Sequence, residues 1–479
     1  MKEAVVFYPA PLIGHLVSTI ELCKLILTHQ PSLSIHILII TPPYDTSSTS
    51  TYVSTVSTTL PSITFHNLPT FTPPHTLLSS TLNHETLLFH LLHHNHPHIH
   101  QTLISISNTH SIQALILDVL CSQSISIASQ LNLPTYIFLP FSASGLASFL
   151  YHPMLHETYH KSFKELNTFL AIPGVPPMPS CDMPKPLLER NDESYKNFLN
   201  CSLVASKAAG FIVNTFEALE QSSIEAISNG LTLPNSPTPP LYCVGPIVSQ
   251  IQNTGDNECL KWLDSQPSKS VVFLCFGSLG VFSKEQLHET ALGLEKSGQR
   301  FLWVVRNPIR DQNHNLALGT QEDPDLDSLL PKGFLDRTKE KGLVVKNWAP
   351  QAAVLSHDSV GGFVTHCGWN SVLEAVCFGV PMIAWPLYAE QRFNRVVAVE
   401  GMEVALWMHE NVEGFVEANE VEERVRELME SERGKRVRGR VMVAKDGAMA
   451  ALGDGGSSRV ALDKLLRAWN GRSVHNKIS

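Results

Sequence analysis

Residues 362–374 read Gly362-Phe363-Val364-Thr365-His366-Cys367-Gly368-Trp369-Asn370-Ser371-Val372-Leu373-Glu374. A short apolar strand ending at Thr365 gives way, through small and polar residues, to a helix carrying Glu374. Such a turn exposes backbone N–H groups and the positive end of a helix dipole, a setting that favours phosphate. His366 can donate to a phosphate oxygen. Glu374, eight residues on, can accept hydrogen bonds from ribose hydroxyls. Gly277-Ser278, at the end of the apolar run Val271–Phe276, can close such a site from the other side.

The same strand-then-helix rhythm runs outward from this stretch. Phe301–Val305, Leu343–Lys346 and Met382–Ala384 are further short apolar runs in the second half. Val5–Tyr8, Ile35–Ile40, Ile63–Phe65, Ala114–Leu117 and Tyr136–Leu139 repeat the theme in the first. Apolar runs with little alternation predict parallel strands covered on both faces. Between them lie helical patterns. One opens with Ser283 and Gln286, a capping box, and runs to about Lys296 before Gly298. The fold class is α/β, with two doubly wound domains facing across a cleft. Pro234, Pro237, Pro239, Pro240 and Pro246 mark the seam. The expected partition is 1–238, a linker 239–256, a second domain 257–456, and a C-terminal helix 457–479 returning to the first domain.

Composition excludes several classes. With 479 residues, two or three domains are expected. Apolar residues make up 43% and charged ones 16%, too apolar for a disordered chain. A net charge of −9 argues against nucleic-acid binding. Nine scattered cysteines without a CxxC argue against a disulfide framework or a cysteine zinc site, and for a reducing, cytoplasmic setting. The run Ala4–Tyr8 is short and ends at a proline, unlike a secretory leader, and no 18-residue apolar stretch predicts a membrane span. GxGxxG after a strand, GxxxxGK[ST] and GxSxG are all absent, which removes the main support for a dehydrogenase, a P-loop ATPase or an α/β-hydrolase.

Two residues of the first half can carry acid–base chemistry. His15, in Pro11-Leu12-Ile13-Gly14-His15-Leu16, sits where the first strand passes into the first helix. Its imidazole titrates near neutral pH and can act as a base. The alternative is a helix-start histidine bonded to nearby backbone. Asp118 ends the strand Ala114–Leu117, in a region where residues 46–156 hold only Glu85 and Asp118 as charged side chains. A carboxylate there needs a partner. It can hold His15 in one tautomer and stabilise the imidazolium, or it can cap a turn.

The stretch Trp348-Ala349-Pro350-Gln351, then His366 to Ser371, then Glu374, then Glu390-Gln391 spans 44 residues. It resembles the 44-residue signature of plant secondary-product UDP-glycosyltransferases (glycosyltransferase family 1), and the similarity extends over the whole chain. The resemblance implies a GT-B fold of two Rossmann-like domains, with the acceptor held mainly by the N-terminal domain and the donor by the C-terminal one. It places the catalytic histidine and aspartate at His15 and Asp118. It implies that Trp348 stacks on uracil, with Ala349 beside it and Gln351 near the ribose, and that Glu374 binds the ribose hydroxyls. His366, Gly368, Asn370, Ser371 and Ser278 would hold the pyrophosphate, and Trp369, Glu390 and Gln391 the sugar. Trp369 with Gln391 points to UDP-glucose as donor co-substrate, with no metal and no other cofactor. The family's threonine or serine at the sugar O6 has no clear counterpart around Phe141-Ser142-Ala143-Ser144; Ser142 or Ser144 could serve.

The acceptor pocket is expected from Leu12, Phe71–Pro74, Leu120, Phe141, Ser142, residues 180–200, Tyr388 and Ala389. Its apolar lining suits a flat phenol. Within the family, the runs Leu25–Pro43 and Trp348–Gln391 look most like legume flavonoid and isoflavone 7-O-glucosyltransferases, which implies a monomer acting on a flavonoid or isoflavone 7-hydroxyl. C-glucosylation, or glucosylation of a terpenoid or simple phenol, fits the same scaffold. A nucleotide-sugar-binding protein without turnover could dispense with His15 and Asp118. A membrane-bound glucuronosyltransferase would need a leader, a C-terminal span and another residue at Trp369.

Three stretches carry no chemistry on this reading. Thr41–Pro61, rich in serine and threonine, is expected to be a loop, as are residues 307–333. His84, His90, His93, His94, His96, His98 and His100 read as the solvated face of a helix ending near Pro97, with metal binding the alternative. Glu322, Asp323, Asp325 and Asp327 read as a solvated acidic run.

Overall fold

A computed structural model describes residues 1–42, 48–70, 84–249, 257–308 and 323–470. The chain forms two compact units. One takes Met1–Ile247 and the segment from Ala451 onward, and the other runs from Val248 to Ala450.

The first unit is built on strands β1 (Lys2–Tyr8), β2 (Ser34–Ile39), β3 (Ile63–Asn67), β4 (His110–Asp118) and β5 (Thr135–Leu139). A short antiparallel pair follows, β6 (Phe169–Leu170) and β7 (Met178–Pro179). Strands β8 (Gly210–Val213) and β9 (Leu241–Cys243) complete the main sheet, whose order is β3-β2-β1-β4-β5-β8-β9. Every pair in it is parallel. Alternation within β1 shows why apolar runs were needed. Val5 and Phe7 enter one buried cluster and Val6 and Tyr8 the other. The helix Ser457–Asn470 covers one face with Leu462, Leu465, Leu466 and Trp469.

The second unit carries β10 (Val271–Cys275), β11 (Arg300–Val305), β12 (Gly342–Lys346), β13 (Val360–Thr365), β14 (Met382–Ala384) and β15 (Ala405–Trp407). They pair in parallel in the order β12-β11-β10-β13-β14-β15. In both sheets the chain first walks outward to one side and then restarts on the other. The switch falls between β1 and β4 in the first unit and between β10 and β13 in the second. Ligands of doubly wound sheets bind in that crevice, beyond the carboxyl ends of the strands.

Several expectations are corrected. Leu241–Cys243, placed in a linker, forms the sheet edge β9; Pro240 still ends the coil, its carbonyl accepting from Phe211 N–H. The Ser/Thr-rich loop contains a helix, Ser48–Thr59. Its hydroxyls return to the carbonyls four residues back, Thr55 to Thr51, Ser57 to Val53 and Thr59 to Thr55, while Val56 is buried and Tyr52 and Val53 pack beside it. Residues whose side chains usually compete with a helix here bond within it. Its neighbours 43–47 lie outside the described residues, as do Phe71–Pro74, residues 309–322 with Glu322, 250–256 and 471–479. Leu326–Leu329, inside the second expected loop, is a short helix, and Asp323, Asp325 and Asp327 are exposed. The histidine tract forms two helices, His84–His94 and His96–Ser107, with Pro97 in the first turn of the second rather than at the end of one. That suits a residue lacking the N–H a first turn does not use. Only half of the capping box forms. Ser283 Oγ accepts from Gln286 N–H, but the Gln286 amide is drawn away to the backbone of Val416.

Candidate active site

Each unit has one cluster of polar side chains at its switch point. In the first, His15 stands at the start of the helix Ile13–His29 and Asp118 is the last residue of β4. Because β1 and β4 are neighbours, their carboxyl ends bring the two side chains together across 103 residues of chain. His15 Nδ1 lies 2.7 Å from Asp118 Oδ2. The Asp118 side chain is fully buried, while His15 keeps 23% of its side chain exposed. Asp118 Oδ1 also accepts from Leu120 N–H at 3.0 Å. Both readings of Asp118 are therefore realised, one oxygen capping the turn and the other holding the histidine. An ionised Asp118 accepts from Nδ1–H, which leaves the lone pair of a neutral imidazole on Nε2.

Around this pair, Leu12, Leu120, Phe141 and Ser142 follow the ends of β1, β4 and β5. Leu120 is buried and Leu12 and Phe141 pack against the core. Ser142 Oγ is the N-cap of the helix Ala143–Thr158, accepting from Gly145 N–H. Ser144 Oγ donates to the buried carboxylate of Glu220, which also accepts from Ser144 N–H, Ala143 N–H and Thr215 Oγ. Both serines thus have structural duties. Burial raises the Glu220 carboxyl above its ordinary range, against those four hydrogen bonds. Sequence reasoning passed over Glu220.

The second cluster is built on β10 and β13. Gly277, just past β10, has φ +74°, and a Cβ there would stand 2.6 Å from His366 Nε2. A Cβ on Gly368 would stand 2.5 Å from the same atom. The two glycines therefore form the slot that holds the His366 ring. Cys367, between His366 and Gly368, turns the chain with φ +65°. Burial, with Arg306 nearby, lowers the His366 pKa to about 4, so its imidazole is neutral at pH 7. Its Nδ1 is buried without a hydrogen-bond partner. The helix Trp369–Phe378 begins at Gly368 with no side-chain cap. A helix start points its first backbone N–H groups along the axis, and here they belong to Trp369, Asn370 and Ser371. Trp369 is itself buried and Asn370 partly so.

Gln351 ties the next group together. Its Nε2 donates to Ser371 Oγ at 2.9 Å and to Glu374 Oε2 at 2.7 Å. Burial raises the Glu374 pKa, with the Gln351 bond opposing. Trp348 is 62% exposed, an unusual state for a tryptophan, while Ala349 beside it is buried. Beyond β14, Gln391 is buried and its Oε1 accepts from Leu387 N–H and Tyr388 N–H. Its side chain also hydrogen-bonds that of Tyr388. Glu390 stands at the start of the Gln391–Val396 helix, and Ala389 has φ +54°. The Tyr388 ring lies 6.1 Å from that of His366, in the second unit's cluster. Ser278 is exposed, and its carbonyl accepts from Arg306. Arg306, the residue after β11, was missed.

Among the described residues no group of three His, Cys, Asp or Glu side chains could hold a metal ion, and no helix is long and apolar enough to cross a membrane. His90 meets Glu193 and His93 meets Gln123.

Comparison with known proteins shows the family. Residues 191–436 match the family model described as UDP-glucoronosyl and UDP-glucosyl transferase. UDP-glycosyltransferase 88B1 of Stevia rebaudiana is 52% identical over 98% of this chain and 99% of its own length. Isoflavone 7-O-glucosyltransferase 1 of Glycine max is 48% identical, covering 98% and 99%. Among solved structures, Phytolacca americana UGT2 complexed with UDP-2fluoro-glucose and pterostilbene superposes with a TM-score of 0.87 at 36% identity, covering 98% of this chain and 100% of that one.

Proposed function

The chain belongs to the UDP-glucoronosyl and UDP-glucosyl transferase family, and from that premise we propose that it transfers glucose from UDP-glucose, with inversion, to a phenolic hydroxyl. It is a UDP-glycosyltransferase of plant secondary metabolism with a GT-B fold. The finer reading is the donor, the acceptor and the residue roles. One observation carries it: the 2.7 Å contact between His15 Nδ1 and Asp118 Oδ2.

In this mechanism His15 Nε2 takes the proton of the acceptor hydroxyl. The oxygen forms a bond to the anomeric carbon, the bond from that carbon to the diphosphate oxygen breaks, and UDP leaves with the electron pair. Asp118 stays ionised and stabilises the imidazolium. Charge develops on the leaving diphosphate. The N-terminus of the Trp369–Phe378 helix, the positive end of its dipole, and neutral His366 are fixed in place for it, without a metal. Glu374, with Gln351 and Ser371, takes the ribose hydroxyls, and exposed Trp348 supplies a face for uracil. Ser278, Gly368 and Asn370 complete the pyrophosphate site. Trp369, Glu390 and Gln391 take the glucose.

For the acceptor, a flavonoid or isoflavone 7-hydroxyl comes first. The apolar residues Leu12, Leu120 and Phe141 near His15 support a flat ring system, and so does the relative named for isoflavone 7-O-glucosylation. The purified chain is to be incubated with UDP-glucose and a panel of flavones, isoflavones, chalcones, simple phenols and terpenoid alcohols, and the products weighed. Gain of one hexose on a flavonoid, lost in His15→Ala, is the expected result. Gain only on a terpenoid alcohol, or an acid-stable C-linked product, would overturn the acceptor reading; no transfer from any UDP-sugar would overturn the mechanism.

A further inference from the structure

Arg306 follows β11, the middle strand of the run β12-β11-β10. From there its guanidinium reaches both neighbours. Nε donates to the carbonyl of Asn347 at 2.9 Å, just past β12, and Nη1 donates to the carbonyl of Ser278, just past β10. Asn347 has φ +62° and is followed directly by exposed Trp348. Ser278 follows Gly277, one wall of the His366 slot. One planar fork therefore links the turn carrying Trp348 to the turn bordering His366.

We propose that Arg306 is a positioning residue for the donor. It fixes the spacing between the uracil-side turn at Asn347-Trp348 and the phosphate-side turn at Gly277-Ser278, so that the nucleotide meets both at once. This rests on the donor-site reading above. A lysine keeps the charge but cannot bridge two carbonyls with a fixed fork. The proposal thus separates geometry from charge.

The test titrates UDP and uncharged uridine, by competition with UDP-glucose, into the wild type, Arg306→Lys and Arg306→Met, with thermal unfolding followed in parallel. Both variants are expected to weaken UDP, which meets both turns, by about tenfold or more, and uridine, which meets only the uracil-side turn, by less. The Michaelis constant for UDP-glucose should rise while that for the acceptor stays unchanged. If UDP weakens in Arg306→Met but uridine does not, and Arg306→Lys binds like wild type, the residue acts by charge and the proposal is overturned. Unchanged affinity in both variants overturns it as well. Loss confined to Arg306→Met with a collapsed unfolding transition, Arg306→Lys remaining normal, assigns the effect to folding and also overturns it. A wild type that binds no UDP would instead remove the donor-site reading beneath it.

Discussion

The two switch points are built on the same plan and filled differently. Between β1 and β4 an imidazole is gripped by a carboxylate, His15 on Asp118. Between β10 and β13 an imidazole is gripped by two glycines, and its Nδ1 is left without a partner. A carboxylate partner raises the basicity of an imidazole and points a lone pair outward, which makes a base. A dry slot keeps the imidazole neutral, with one N–H and no charge. A second contrast runs the same way. The helix Ala143–Thr158 has its start filled by the chain's own Glu220 and Ser142. The helix Trp369–Phe378 starts at Gly368, which has no side chain to cap it. The first unit fills a helix start with its own carboxylate and keeps a base, whereas the second sets a neutral imidazole beside a helix start that has no side-chain cap.

The largest effect should come from breaking the first of these. His15→Ala is expected to lower kcat by about 10²–10⁴-fold, the usual worth of a general base, with UDP binding within about twofold of wild type. Steady-state kinetics and calorimetric titration check the two halves. The matching break in the second unit is Gly277→Ala. The new Cβ meets the His366 ring and the φ of +74° is strained for alanine, so UDP affinity should fall about 10–100-fold.

A pH experiment sharpens the contrast between the imidazoles. His366 has a folded pKa of about 4 against an ordinary 6.5. In that window the unfolded state binds more protons, so the stability present above pH 6.5 is lost as the pH falls towards 4. Unfolding by urea at successive pH values should show the wild type losing stability relative to His366→Gln by ~1.4 kcal/mol per pH unit across that window. A difference that does not change with pH would mean that His366 is not held neutral by its slot. The smallest effect tests the closed helix start. Ser142→Ala should cost about 1 kcal/mol of stability, the worth of an N-cap, while the acceptor Michaelis constant stays within about twofold.

Much of this contrast was legible in the sequence. The strand-to-helix passage at Thr365–Trp369 and the lone carboxylate Asp118 both announced themselves by chemistry that a parallel sheet's end must accommodate. What stayed hidden depends on long-range partners. Gln286 looks like half of a capping box, but its amide is claimed by Val416, 130 residues away. Ser48–Thr59 has a loop's composition and becomes a helix because its hydroxyls turn inward to their own carbonyls and Val56 is buried. The strands Gly210–Val213 and Ala405–Trp407 are too short for periodicity to mark. Glu220 and Arg306 act through backbone groups that no local pattern reveals.

The division of labour between the two switch points is tested most directly by measuring UDP-glucose binding and hexose transfer side by side in His15→Ala and Gly277→Ala. The account predicts retained binding with lost transfer in the first, and weakened binding in the second, with transfer recovering as donor concentration is raised. Full transfer by His15→Ala, or loss of donor binding in His15→Ala with none in Gly277→Ala, would contradict it.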